Sequence, residues 1–295
     1  LLQAVVSGFI LGSIYAIIAQ GYYITYVTTR TLNFGQGDFL MVGALLGLTS
    51  LGALMTSGIN VFLALLLTLA VTCLVMGLLG WGLERIAIRP LQNNFISISW
   101  ILSTVAVSMM FRNLAMLVWG RNVIPFPSPF GSGVLRFGGV GIAKHEIFIA
   151  VCALVIMGCL FIFLKKSLLG KALAAVACNP EAAALMGINP RAMAILAFAL
   201  SSALAGIGGI LVGPITNTAF FMGATLGLKA FAAAIIGGLD NPVGILIGGL
   251  LLGVLEQVFA LGSSAYKDAS AFVLILIVLI FMPQGLFGKK VKEKF

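Results

Sequence analysis

Long apolar runs separated by short polar punctuation define this chain. Predominantly apolar stretches cover residues 3–28, 39–56, 61–83, 95–118, 146–164, 192–213, 243–262 and 271–287. Each meets or approaches the roughly 20 residues that a helix needs to cross about 30 Å of hydrocarbon. A further run, 226–238, is shorter, about 20 Å as a helix. The runs are continuous and lack the alternation of a barrel strand, so helices are expected. The pattern predicts an all-α integral membrane protein, a polytopic bundle of about eight spans formed by one transmembrane domain over 1–295. Two longer polar segments stand apart, an outer loop at 119–145 and an inner one at 165–191.

The 165–191 segment, KKSLLGKALAAVACNPEAAALMGINPR, contains a small helix with its own start and stop signals. Asn179 is a good N-cap, because its side-chain oxygen can accept the amides that open a helix. Pro180 suits the first helical position, where its missing N–H costs nothing. Glu181 places negative charge on the positive end of the dipole, and Gly187 offers a left-handed stop. The expected helix runs through Ala182 and Ala183 to Leu185, Met186 and Ile188 at its far end. About two turns do not persist alone in water, so a second protein is the expected support.

Two breaks interrupt the apolar pattern elsewhere. Residues 31–38, TLNFGQGD, bring Asn33, Gln36 and Asp38 together with two glycines; residues 237–244, GGLDNPVG, bring Asp240, Asn241 and Pro242. Either is an ordinary turn at the membrane surface, or irregular backbone at membrane depth, which is tolerated only where protein or water satisfies it. Broken helices of the second kind build transporter sites. Each break follows a Gly-rich helix and leads into another, and the helices at 3–28 and 192–213 are expected to run in opposite senses. That arrangement suggests an inverted repeat. The cluster Ala203, Ala205, Gly206, Gly208 and Gly209 predicts close helix packing in lipid.

Composition agrees with the pattern: 61% hydrophobic, 8% charged, mean hydropathy +1.18. Charge adds orientation. Arg30, Arg85, Arg89, Lys165, Lys166, Lys171, Arg191, Lys289, Lys290, Lys292 and Lys294 fall on one set of loops. Only Arg121, Arg136, Lys144 and Lys267 fall on the other. The positive-inside rule then places the N-terminus outside, and the capped helix and C-terminus in the cytoplasm. The net charge of +9 is carried by these flanking residues, so nucleic-acid binding is not expected.

Catalytic chemistry is poorly provided for. Cys73, Cys152, Cys159 and Cys178 show no metal spacing, and three of them fall inside expected spans as small apolar residues. His145, beside Glu146, has no ligand cluster around it, and no phosphate-cradling loop is present. No catalytic residue, metal site or bound cofactor is expected. Among charges within the runs, Lys229 and Arg112 can snorkel outward. Glu256 lies deeper and either bonds a neighbouring helix or serves a pathway.

Gly12-Ser13-Ile14-Tyr15-Ala16, and Arg30 followed by Asn33-Phe34-Gly35-Gln36-Gly37-Asp38-Phe39-Leu40, resemble the branched-chain amino acid ABC importer permeases. So do Glu181-Ala182-Ala183 with Gly187, and Gly237-Gly238-Leu239 with Pro242 and Gly244, and the likeness spans the chain. It implies that 179–191 is the coupling loop that docks on a cytosolic ATPase, although the motif's usual Ile-x-Leu-Pro tail is not evident. It also implies that Asn33–Asp38 and Asp240–Asn241 lie along or beside the translocation path. A second homologous permease, two ABC ATPases using ATP and Mg, and an external substrate-binding protein are the implied partners, with the loop 119–145 as a docking face or a connector. Permeases for urea, short amides or aromatic acids share this architecture, and an ion-coupled secondary transporter is the alternative from another class. That alternative leaves the capped helix without a role.

Overall fold

The computed structural model describes residues 1–91, 99–128, 130–131, 133–137, 140–262, 264–282 and 284–288. Helices α1 (Leu2–Thr29), α2 (Gln36–Thr56), α3 (Val61–Leu83) and α4 (Ser99–Trp119) precede a β-hairpin of β1 (Val134–Phe137) and β2 (Val140–Ala143). Then follow α5 (Lys144–Lys166), α6 (Leu168–Cys178), α7 (Pro180–Leu185), α8 (Pro190–Thr216), α9 (Met222–Gly237), α10 (Pro242–Ala260) and α11 (Ser264–Phe281). The hairpin is antiparallel, with Val134 opposite Ala143.

Among the described residues, seven helices are long and apolar enough to cross a membrane: α1, α2, α3 with its extension, α4, α5, α8 and α10. The eighth expected run, 271–287, falls on α11, whose apolar portion is the shorter stretch Ala271–Phe281. The start of the fourth run, 95–98, and the tail lysines at 289–294 lie outside the described residues. Helix α3 does not end where its apolar run does. It continues through a π-helical turn, Glu84–Ile88, into a 3-10 turn, Arg89–Leu91, so Arg85 and Arg89 are helical rather than in a loop.

Helix α1 is the hub, and it packs against α10 and α8 where glycines remove the side chains between them. Gly8 lies against Val254, Gly12 against Gly249 and Leu250, and Gly253 against Gly12 and Gly8. These partners fall in reverse order, so α1 and α10 are antiparallel. Gly43 meets Gly206 between α2 and α8, and Gly209 meets Leu40 and Ala44. Gly80 faces Phe198 and Ser202 between α3 and α8. Lipid supplies no hydrophobic force to drive helices together, so backbone proximity and dispersion must do it.

The architecture is an inverted repeat of α1–α4 and α8–α11. Helices α1 and α8, of 28 and 27 residues, run antiparallel, and each ends on a non-glycine residue with positive φ. These are Arg30 (φ 55°) and Asn217 (φ 60°), the two such residues among those described. A short link follows each, and then a helix whose second residue, Gly37 or Gly223, packs on the other. Helix α1 lies along α10 as α8 lies along α3, and α2 touches α4 as α9 touches α11.

This register differs from the one expected. The link at 31–35 corresponds to 217–221, not to 237–244, which is the tight connection between α9 and α10. Residues 217–221 read NTAFF, whose alanine and phenylalanines hide the break within an apolar pattern.

The bundle also sorts charge. Antiparallel pairing carries Arg30, Arg85, Arg89, Lys165, Lys166, Lys171 and Arg191 to one end, with α6 and α7. Arg121, Arg136 and Lys144 fall at the other end, where the hairpin is held by Gln3: its Nε2 donates to Gly141 O at 2.8 Å, and its Oε1 accepts from Gly141 N at 2.9 Å.

A Gly253→Ala substitution puts a Cβ onto the Gly12 backbone, whereas at Gly52 nothing lies within 4 Å. Gly253→Ala is expected to destabilise the bundle by about 1–3 kcal/mol. Gly52→Ala is expected to be neutral or stabilising by up to about 1 kcal/mol. Thermal denaturation of the two purified variants in detergent checks the contrast.

Candidate functional site: a protruding helix and buried charge pairs

Helix α7 is closed at both ends by its own sequence. The Asn179 side chain accepts from the amides of Glu181 and Ala182, each at 3.0 Å, and Pro180 occupies the first position. At the far end Gly187 takes φ 84°. Its amide donates to Ala184 O at 3.0 Å, and the Ile188 amide donates to Ala183 O at 3.0 Å. This pair of crossed bonds satisfies carbonyls that would otherwise end the helix unpaired. Ala183 is the buried residue of α7 and faces the bundle, while Glu181 and Ala182 are exposed. Leu185 and Met186 are 89% and 83% exposed, whereas Ile188 is half-buried as part of the closing turn. Thus the apolar tip that α7 offers outward is Leu185–Met186 alone.

The Asn-Pro device recurs. Asn189 caps α8, accepting from Arg191 at 3.0 Å and Ala192 at 3.3 Å. Asn241 caps α10, accepting from Val243 at 3.1 Å and Gly244 at 3.2 Å, and its Nδ2 donates to Phe287 O at 3.2 Å. The polar character of Asn241 is therefore used in ending one helix and starting the next.

The 31–38 break is packed inside the bundle, beside the middle of α8. Helix α2 begins at Gln36, whose Nε2 donates to Ser201 O at 3.0 Å and whose Oε1 accepts from Ser201 Oγ at 2.9 Å. Ser201 lies near the middle of α8, and Gly21 of α1 leaves the space that Gln36 fills. Asn33 is fully buried, and its Oδ1 accepts from the Gly35 amide at 3.0 Å, which shapes the turn. The irregular backbone is satisfied within its own segment, by Asn33 Oδ1 and by the Gln36 amide donating to Asn33 O at 3.1 Å, while α8 satisfies the Gln36 side chain.

Asp38, in the first turn of α2, faces α4. Its carboxylate accepts from Ser108 Oγ and, at 3.3–3.4 Å, from Nε and Nη2 of Arg112. Its side chain is 3% exposed and that of Arg112 36%. The pair borders a cavity of about 150 Å³ that is also lined by Tyr22, Phe34, Gly227 and Phe231.

Glu256 and Lys229 form a second pair, sealed rather than open. Lys229 Nζ donates to Glu256 Oε1 at 2.8 Å, and Tyr15 Oη donates to Oε2 at 2.8 Å. Both side chains are buried. Lys229 thus turns inward instead of snorkelling, because a carboxylate on the adjacent helix compensates its charge. Glu84, at the start of the π-helical turn, is a further buried carboxylate; among the described residues neither of its oxygens has a hydrogen-bond partner.

A third pair, Arg30–Asp240 at 3.2 Å, is exposed at the basic end. It borders a cavity of about 550 Å³ between α1, α5 and α6, with Lys165, Tyr23, Thr28 and Gly170. The residues singled out in the sequence therefore divide among separate places. Asp38 and Asp240 border cavities, Asn33, Gln36 and Asn241 hold backbone, and Glu256 closes a core ion pair.

Arg112, Ser108, Phe34 and Phe231 acquire their significance only in space. Ser108 and Arg112 lie four residues apart on α4, one turn, which was the available hint. The described residues of the outer loop are tied to the bundle: Ile124 bridges to Thr218, Phe126 is buried against Gly213, and Glu146 accepts from the Ala143 amide at 3.0 Å. Ser128 Oγ lies 3.3 Å from His145 Nδ1, and among the described residues no cluster of three potential metal ligands occurs.

A bundle of apolar helices with an inverted repeat, buried charge pairs and a protruding capped helix is the construction of a transport subunit. Residues 4–282 match the family model described as branched-chain amino acid transport system / permease component, and the chain belongs to that family. It is 33% identical over 300 residues to the high-affinity branched-chain amino acid transport permease LivH of Escherichia coli (strain K12), covering 99% of this chain and 97% of that one. To BraD of Pseudomonas aeruginosa, with the same description, it is 34% identical over 302 residues, with coverage of 99% and 97%. The ribose import permease RbsC of Haemophilus influenzae is 26% identical, covering 94% of this chain and 84% of that one. The solved PsaBC of Streptococcus pneumoniae, in complex with Fab, shares the fold at TM-score 0.50 and 14% identity, over 95% of this chain and 92% of that one. The chain is a multi-pass membrane permease of the ABC type, which implies ATPase and substrate-binding partners.

Glu256→Gln leaves the Lys229 ammonium buried without its counter-charge. A loss of about 3–5 kcal/mol is expected, while a paired Lys229→Met/Glu256→Leu replacement recovers most of it. Thermal unfolding of single and double variants in lipid nanodiscs measures both.

Proposed function

We propose that this chain is the membrane-spanning subunit of an ATP-driven importer for branched-chain amino acids of the Leu, Ile and Val type. The observation that carries the coupling is the tip of α7. Two large apolar side chains, Leu185 and Met186, project from a helix that is capped at both ends and buries Ala183 against the bundle. An exposed apolar tip on a preorganised element suits insertion into a groove of another protein.

The lever is short. Only Met186, Gly187, Ile188 and Asn189 separate α7 from α8, and α8 packs on α1, α2 and α3. Movement of a docked ATPase is passed through α7 into the hub of the bundle with little slack. Asn179–Ile188 is thus the coupling helix and 165–191 the coupling loop of a single permease domain. The basic end, with Arg30, Arg85, Arg89, Lys165, Lys166, Lys171 and Arg191, is the cytoplasmic face, which leaves the N-terminus outside.

The working assembly contains two ATPases, a second homologous permease and an external binding protein that delivers substrate to the hairpin loop at 119–145. ATP and Mg act in the ATPases, and this chain binds no cofactor of its own. Asp38 lies on the path itself, and beside it Asn33, Gln36 and Asn241 hold backbone, Asp240 pairs with Arg30, and Glu256 ties α10 to α9 and α1. The substrate assignment rests on the named relatives, LivH and BraD.

Glu181→Lys reverses the charge on the α7 N-terminus, and Leu185→Asp puts a charge on its tip. Each is expected to cut ATP-driven leucine uptake into proteoliposomes by roughly 10-fold or more, with normal membrane insertion. Co-purification of the ATPases should fall in parallel. Full uptake in both variants would remove α7 from the coupling role.

A further inference from the structure

The two charge pairs inside the bundle differ in a way that packing alone does not require. Glu256 and Lys229 touch at 2.8 Å, are 0% and 5% exposed, and Tyr15 donates to the second Glu256 oxygen, the arrangement of a pair that holds helices together. Asp38 and Arg112 touch only at 3.3–3.4 Å. That is longer than the roughly 2.7–2.9 Å of a well-formed charge-assisted hydrogen bond. They also border an open space of about 150 Å³, into which a partly exposed guanidinium and a buried carboxylate both face.

The rest of the cavity is chemically divided. On one side Tyr22, Phe34 and Phe231 form an aromatic wall, with ring centroids 5.4 Å apart for Tyr22–Phe231 and 5.9 Å apart for Phe34–Phe231. On the other side Gly223 and Ala224, in the first turn of α9, border it. The first-turn amides of a helix have no intrahelical acceptors and carry partial positive charge. Gly37 and Gly223 pack on each other, so the first turns of α2 and α9 converge beside the pair, about where the two repeats cross.

A cavity with adjacent opposite charges and an aromatic wall is complementary to a small zwitterion with an apolar side chain. We infer that Asp38 and Arg112 form an α-amino-acid station on the path. Asp38 receives the substrate ammonium, Arg112 and the α9 amides receive its carboxylate, and Tyr22, Phe34 and Phe231 take its side chain. The long Asp38–Arg112 contact is then exchanged for two shorter ones, and the site is neutral with or without its occupant. A sugar offers no charges to exchange, so this station separates amino acids from polyols. Loose contact suits transport, since a path site must release what it binds. This inference rests on the amino-acid import reading and adds where and how the permease itself recognises its cargo.

The test uses the permease–ATPase complex in lipid nanodiscs without binding protein, so that external selection does not intervene. Equilibrium binding of radiolabelled leucine is measured with two competitors, 3-methylbutylamine, which lacks the carboxylate, and 4-methylpentanoate, which lacks the ammonium. Arg112→Gln should weaken leucine roughly 10- to 100-fold while leaving the amine unchanged. Asp38→Asn should weaken leucine to the same extent and leave the acid unchanged. Asp38→Glu and Arg112→Lys keep the charges and should retain most of the leucine affinity, which guards against misfolding of the neutral variants. Phe231→Ala should weaken leucine more than alanine, without altering the discrimination between amine and acid.

A role confined to packing would lower all three ligands together, and that result overturns the station. So does leucine affinity unchanged in both neutral variants. Absence of leucine binding to the wild-type complex, with leucine uptake by the complete system intact, overturns the station and leaves the importer reading standing. Absence of uptake as well would overturn the importer reading itself.

Discussion

Backbone-to-backbone approach at glycine is the constraint on which the remaining architecture depends. In lipid an apolar side chain gains little by leaving one hydrocarbon environment for another, so helices associate through close packing. Gly8, Gly12, Gly249 and Gly253 bring α1 and α10 into direct contact, and Gly43, Gly206 and Gly209 do the same for α2 and α8. Only with the helices this close can Gln36 of α2 reach Ser201 at mid-helix, or Lys229 reach Glu256. The polar groups of the interior are consequences of that proximity.

Three ion pairs then show how environment separates similar chemistry. Arg30–Asp240 is exposed at the basic end, where solvent screening makes such a pair worth about 0–1 kcal/mol. Lys229–Glu256 is sealed, and removing either member leaves a buried charge. Asp38–Arg112 is intermediate, with a buried carboxylate, a partly exposed guanidinium and a cavity at its edge. Of the three, this one is built to change partners.

The inverted repeat links this centre to the protruding helix. Arg30 and Asn217 end the two long helices with positive φ and return the chain into the bundle, so that α2 and α9 start beside each other. Helix α8 belongs to that crossing and is also joined to α7 by four residues. A displacement applied at Leu185 and Met186 therefore acts on the element that positions Gln36 and, through α2, Asp38. Rigid caps matter for the same reason: a frayed helix would absorb the motion it has to pass on.

The sequence by itself determined whatever depends on neighbours along the chain. Apolar run lengths gave the spanning helices, and Asn179, Pro180 and Gly187 gave α7 and both of its ends, since caps are local hydrogen bonds. The likeness of its motifs to a permease family was legible for a related reason, because short motifs survive as strings. Contacts between distant segments were not legible. The repeat was visible in outline, yet its register was misplaced because the second link carries Ala219 and Phe221 where its counterpart carries Asn33 and Gly35. Lys229 and Arg112 read as residues free to snorkel, since nothing within one turn of either identifies Glu256 or Asp38 as its partner. Those pairings, and the cavity beside one of them, were decided by tertiary structure, where glycine contacts set which helix faces meet and at what depth.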